Sequence, residues 1–138
     1  MRPYVLYLRN CPGVVTPKDF KIGVAALDKV RTRLASYQNA VGPVYIEQFS
    51  NIWVGEDIDV KEAERKIKLE FKKYISSSEA GLSEWICNID KNSILSFIQS
   101  LGDEYFIKLY NVDSEYQPLT MANCVDFQQW FEENNPII

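Results

Sequence analysis

The sequence predicts an α+β domain: a small antiparallel three-stranded sheet flanked by helices in a β-β-α-β-α core, followed by a mixed C-terminal extension. Three observations predict it. β-branched and aromatic runs recur at Tyr4–Arg9 (YVLYLR), Phe20–Ala25 (FKIGVA) and Val44–Val54 (VYIEQFSNIWV), and such runs favour strands. Two further segments space their apolar residues at three and four, which is the helical period. Turn residues divide the runs, at Asn10-Cys11-Pro12-Gly13 and at Gly42-Pro43. A chain of 138 residues with 46% hydrophobic and 25% charged residues is one ordinary domain able to bury a core.

The elements follow in order. Tyr4–Arg9 is the first strand, and Phe20–Ala25 closes a hairpin with it across the Asn10–Gly13 turn and Pro17-Lys18-Asp19. Asp28 is placed to cap a helix that runs to about Ala40, where Gly42-Pro43 stops it. Val44–Val54 is a third, longer strand. Asp59 can cap the next helix, Val60–Tyr74, which ends in the polar Ser76-Ser77-Ser78. Beyond it a short strand is expected at Glu84–Ile89, a helix at Lys91–Leu101, a strand at Tyr105–Val112 and a last helix at Val125–Asn134. The expected division is a core at 1–90 and an acidic, aromatic-containing extension at 91–138.

Composition excludes several chemistries. With no histidine in the chain, Ser-His triads, Cys-His dyads and His-ligated metals are ruled out, so chemistry must run on Tyr, Lys, Arg, Asp or Glu. Cys11, Cys87 and Cys124 are odd in number, far apart and outside any CxxC pattern, which points to reduced thiols and an intracellular protein. No run is long enough for a membrane span or a signal peptide, so no membrane partner is expected. The net charge of −4 averages two unlike halves: +4 over residues 1–75 and −8 over residues 76–138. This is the pattern of a basic working part and an acidic remainder.

Both helices carry polar residues at the edge of their apolar stripe. In Val60–Tyr74 the stripe is Val60, Ala63, Ile67, Phe71 and Tyr74, and Glu64 stands beside it. A carboxylate there needs a cation, a backbone amide or a metal ion. Lys61, Arg65, Lys68 and Lys72 align on a neighbouring face. Such a stripe is either a solvated surface or a track for a phosphate backbone. In the earlier helix the stripe is Leu27, Val30, Leu34, Tyr37 and Val41, with Arg33 one turn before Tyr37.

Taken together, Tyr4-Val5-Leu6, Phe20-Lys21-Ile22-Gly23, Arg33-Leu34-Ala35-Ser36-Tyr37 and Glu64 on a following helix resemble the GIY-YIG nuclease superfamily. The Lys-Ile-Gly form and the later Glu84-Trp85 pair are most similar to its T5orf172-like phage and bacterial group. The resemblance covers about residues 3–86 and implies a metal-dependent DNA endonuclease. Tyr4 matches the first-motif tyrosine, with Tyr7 the alternative if the strand register differs. Ile22-Gly23 matches the end of the second motif, Arg33 the catalytic arginine, Tyr37 the residue one turn later and Glu64 the metal-binding glutamate. Pro3 stands where the first motif would begin, Lys21 replaces the second motif's aromatic, and Asn88 is a candidate for the late asparagine.

The implied chemistry is coherent. Mg²⁺ or Mn²⁺ would use one carboxylate, Glu64, and fill its other positions with water and substrate phosphate. Arg33 would fork onto phosphate oxygens. Tyr37 would accept the attacking water's proton, with Arg33, Lys21 or the metal favouring its phenolate, while Tyr4 and Lys21 orient water or phosphate. Lys61, Arg65, Lys68 and Lys72 would contact DNA. The alternative is a nucleic-acid- or protein-binding module on the same fold without catalysis. The extension leaves open a homodimer or a protein partner.

Overall fold

The computed structural model describes residues 3–75, 85–105, 108–110, 118–124 and 129. Four strands form one sheet: β1 (Pro3–Asn10), β2 (Lys21–Ala26), β3 (Gln48–Glu56) and β4 (Lys108–Tyr110), in the order β2-β1-β3-β4. All neighbours pair antiparallel. Among the described residues the α-helices are α1 (Val30–Val41), α2 (Asp57–Glu70) and α3 (Lys91–Tyr105). The fold is therefore α+β, and the expected three strands are joined by a short fourth from the extension.

Hydrophobic alternation on β1 sets the layers. Leu6 and Leu8 point to one face, where they pack with Ile22 and Trp53, with Val60, Ala63 and Ile67 of α2, and with Ile94 and Ile98 of α3. Val5 and Tyr7 point to the other face, against Ala25, Phe49, Ile52, and Val30 and Leu34 of α1. Leu119 and Cys124 of the extension complete that second core. The described parts of the extension are thus built into the same sheet and the same two cores.

A β-bulge bends this plan at one place. Leu8 opposes Asn51 but Arg9 opposes Phe49, so Ser50 is an extra residue in β3. The bulge turns Phe49 onto the α1 side, and the Ser50 hydroxyl donates to the Leu8 carbonyl at 3.2 Å.

Three boundaries differ from expectation. α1 begins at Val30, because Leu27–Lys29 forms a 3-10 turn, and the capping position falls on Lys29 rather than on Asp28. β3 begins at Gln48 rather than Val44, because Gln38 holds the preceding loop off the sheet: its side-chain amide donates to the carbonyls of Gly42 (2.8 Å) and Tyr45 (2.5 Å) and accepts from the Glu47 N–H (2.9 Å). α2 starts two residues before Asp59 and ends at Glu70, with Lys72–Tyr74 in a 3-10 turn. Ile86 stands where the short strand is expected and makes single bridges to Phe20 and Ile75. The helix expected at Val125–Asn134 falls almost entirely outside the described residues. Among the described residues, no helix is long and apolar enough to cross a membrane.

Candidate active site

The site begins with two side chains of β1. Tyr7 and Arg9 alternate to the α1 face, and Tyr7 is almost fully buried. Its ring stacks on Phe49 with centroids 3.9 Å apart, and its hydroxyl meets that of Tyr37 from α1 at 2.8 Å. Gly23 makes room on β2, directly opposite Tyr7 in the register. A Cβ at Gly23 would stand 2.8 Å from Tyr7 Cε1 and closer still to the hydroxyl end. Burial first, then the hydrogen bond and charge of Tyr37, hold the Tyr7 phenol well above its ordinary range, against the opposing pull of Arg33 and Arg9. Tyr7 therefore keeps its proton, and either hydroxyl of the pair can donate to the other.

Arg9 supplies the second feature. Its guanidinium carbon stands 3.8 Å from the centroid of the Tyr37 ring and 4.8 Å from that of Trp85. Such stacking favours a delocalised cation. It also forks onto Glu47: Nη2 donates to Oε2 at 3.3 Å and Nε donates to Oε1. Glu47 is fully buried and Arg9 nearly so. Burial, and then the neighbouring Glu47, push the Cys11 thiol up to about 11.

Sequence reasoning missed Arg9 and Glu47, and a signal was there. Arg9 lies two residues after Tyr7 and so shares its face. An arginine facing inward from a central strand requires a buried anion.

The expected site residues divide between the two faces. Arg33 is exposed on α1 and its charge reaches Tyr7; Tyr37 is half-buried beside it. Lys21 is opposite Arg9 across the hairpin and joins this side. Tyr4 does not: it packs at the margin of the α2 core, with Lys61 Nζ 4.7 Å from its ring centroid. Tyr7, the alternative first-motif tyrosine, is the one that meets Tyr37. Glu64 is on α2, in the layer across the sheet, with Lys68 Nζ 3.6 Å from Oε2. In the basic stripe, Arg65 donates to Glu62 at 3.1 and 3.0 Å, while Lys61 and Lys72 are exposed. Asn88 adopts a positive φ of 57° and its N–H donates to Asp19 Oδ1 at 3.2 Å. Of the Glu84-Trp85 pair, Trp85 covers Arg9, and Glu84 lies outside the described residues.

A metal ion does not fit the donor set around the phenols. Among the described residues, the carboxylate beside Arg9, that of Glu47, is committed to that arginine. Glu64 offers hard oxygen donors of the right kind but belongs to the opposite layer. Among the described residues, no three His, Cys, Asp or Glu side chains gather as a metal cage. What the α1 face does offer is a phenol pair with the exposed Arg33 acting on Tyr7, Arg9 stacked on Tyr37 while paired to Glu47, and Lys21 opposite Arg9, chemistry suited to an anion with exchangeable protons nearby. Comparison with known proteins finds no matching family model, no matching curated protein and no matching solved structure.

Proposed function

We propose that this chain hydrolyses phosphodiester bonds in DNA on the face formed by Tyr7, Arg9, Lys21, Arg33 and Tyr37. The observation that carries the reading is the 2.8 Å contact between the Tyr7 and Tyr37 hydroxyls, with an arginine stacked on one phenol and a second arginine acting on the other. Arg33, exposed at the mouth, forks onto the phosphate oxygens and offsets charge that builds at phosphorus. The Tyr37 oxygen accepts the proton of the attacking water as that water's oxygen bonds phosphorus, and a proton passes on to the sugar oxygen whose bond to phosphorus breaks. Tyr7 steadies the Tyr37 oxygen by donating to it, and Arg9 faces the same ring with a positive charge. Lys21 holds the phosphate from the hairpin side.

The test is a cleavage assay on plasmid and branched DNA with Mg²⁺, Mn²⁺ or a chelator. Cutting that disappears in Arg33→Ala and Tyr37→Phe supports the reading; undiminished cutting by both would overturn it. Loss of cutting in Glu64→Ala together with metal dependence would tie the ion to α2.

The second reading, a DNA-binding module without catalysis, is favoured by one observation. Glu64 is in the other layer and paired with Lys68. It predicts salt-dependent DNA retention with no cutting in any divalent metal, unaffected by Glu64→Ala.

A further inference from the structure

Three consecutive apolar side chains, Val44, Tyr45 and Ile46, stand 82%, 39% and 59% exposed, in a loop where polar residues are the rule. The loop is not slack, since Gln38 fixes both ends of it through three hydrogen bonds. Tyr45 is propped as well. Its ring rests on Gly13, at φ 90°, where an added Cβ would stand only 2.8 Å from ring atom Cδ1.

Facing this loop is a second wall, the turn at Thr120–Asn123. It is closed by the Thr120 N–H donating to Asn123 Oδ1 at 2.7 Å and by Asn123 Nδ2 donating to the Pro118 carbonyl at 2.9 Å. Two backbone hydrogen bonds between Leu119 and Phe49, 2.8 and 2.9 Å, tie it to the sheet. Between the walls lies a cleft of about 340 Å³, lined by Pro43, Tyr45, Ile46, Thr120 and Met121, with Gln38 at its base.

The cleft neighbours the phenol site along the chain. Gln38 directly follows Tyr37 in α1. Ile46 directly precedes Glu47, whose carboxylate holds Arg9 over the Tyr37 ring. A strand with one phosphate at Arg33 and Tyr37 would carry its neighbouring sugars and bases past this opening. The walls are held in place, mainly apolar and bear one fixed aromatic ring, which suits a flat group with a π-face. We infer that the cleft takes a single unstacked nucleobase of the bound strand, stacked on Tyr45 and enclosed by Ile46 and Met121. This inference rests on the DNA reading above and narrows its substrate to single-stranded, branched or locally unpaired DNA, where a base is free to leave the stack.

The experiment uses the full chain and single-stranded oligonucleotides carrying 2-aminopurine at successive positions. Quenching reports stacking, and the anisotropy of an end label reports affinity. One position should be quenched on binding. Tyr45→Ala should release that quench and weaken binding about tenfold, the size of one base–aromatic stack, while Tyr45→Trp retains both. Met121→Gln on the facing wall should weaken the quench in the same direction. An abasic site at that position should cost the wild type the same tenfold and cost Tyr45→Ala nothing further. Salt-dependent binding that needs Arg33 but shows no quench and no dependence on Tyr45 would overturn the cleft assignment alone. No salt-dependent binding of DNA by the wild type would overturn the DNA reading with it.

Discussion

Substituting Gly23 by alanine tests how the phenol pair is held. The added Cβ would meet Tyr7 Cε1 at 2.8 Å. Bringing that atom to the 3.4 Å of ordinary contact takes 0.6 Å, and the hydroxyl end, which is closer, must travel farther. Tyr7 has no free direction of retreat, being 1% exposed and stacked 3.9 Å from Phe49. Overpacking of this kind costs about 1–3 kcal/mol. The displaced hydroxyl also loses its 2.8 Å contact with Tyr37, a further loss of about 1 kcal/mol. Replacing a strand glycine returns roughly 0.5–1 kcal/mol of backbone entropy. The net expectation is a loss of about 1–3.5 kcal/mol, with the midpoint of thermal unfolding lowered on the order of 10 °C. Urea unfolding of Gly23→Ala, Tyr7→Leu and the double variant forms a double-mutant cycle. Because leucine removes the atoms that clash, the double variant should be more stable than the sum of the singles by at least about 1 kcal/mol. Additive effects would show that the ring does not depend on Gly23.

Four further outcomes follow from the same geometry. Glu47→Leu should destabilise by about 3–5 kcal/mol, because it strands the buried Arg9 charge, and Arg9→Met combined with it should recover most of that loss in chemical denaturation. Arg33→Ala should leave stability within about 0.5 kcal/mol, since the side chain is exposed, while DNA cleavage is lost; a large fall in stability would assign Arg33 a packing role instead. The Cys11 thiol, raised by burial and then by Glu47 from 9.0 to about 11, contributes stability that is complete below pH 9.0 and is lost as the pH rises through about 11. Unfolding free energies across the alkaline range should therefore fall less steeply in Cys11→Ala than in the wild type, and native-state alkylation at neutral pH should modify the half-exposed Cys87 first.

Much of the fold was legible because two periods are written plainly in the chain. Leu6 and Leu8 alternating with Tyr7 give β1 its two faces, and the Val60, Ala63 and Ile67 spacing gives α2 its buried stripe. The start of β3 was not legible. Val44, Tyr45 and Ile46 have strand propensity, and only the long-range hydrogen bonds of Gln38 remove them from the sheet. The bulge at Ser50 was equally hidden, since no local sequence signal marks the extra residue. In the site, that Arg33 and Tyr37 stand one turn apart on α1 follows from helical spacing. Choosing between Tyr4 and Tyr7 required knowing which parity of β1 faces α1, a fact set by packing across the sheet. The placement of Glu64 across the sheet from the phenols is likewise tertiary, fixed by which layer α2 covers.

The alternation of β1 has a mechanical corollary. Odd-numbered side chains furnish the phenol and the guanidinium, while even-numbered ones furnish two of the most deeply packed leucines. A slip of one residue would exchange the two sets at a stroke. The chain thus possesses no well-packed misregistered form in which only the placement of Tyr7 and Arg9 is lost. Whatever enforces the leucine side of the strand enforces the Tyr7 and Arg9 side with it.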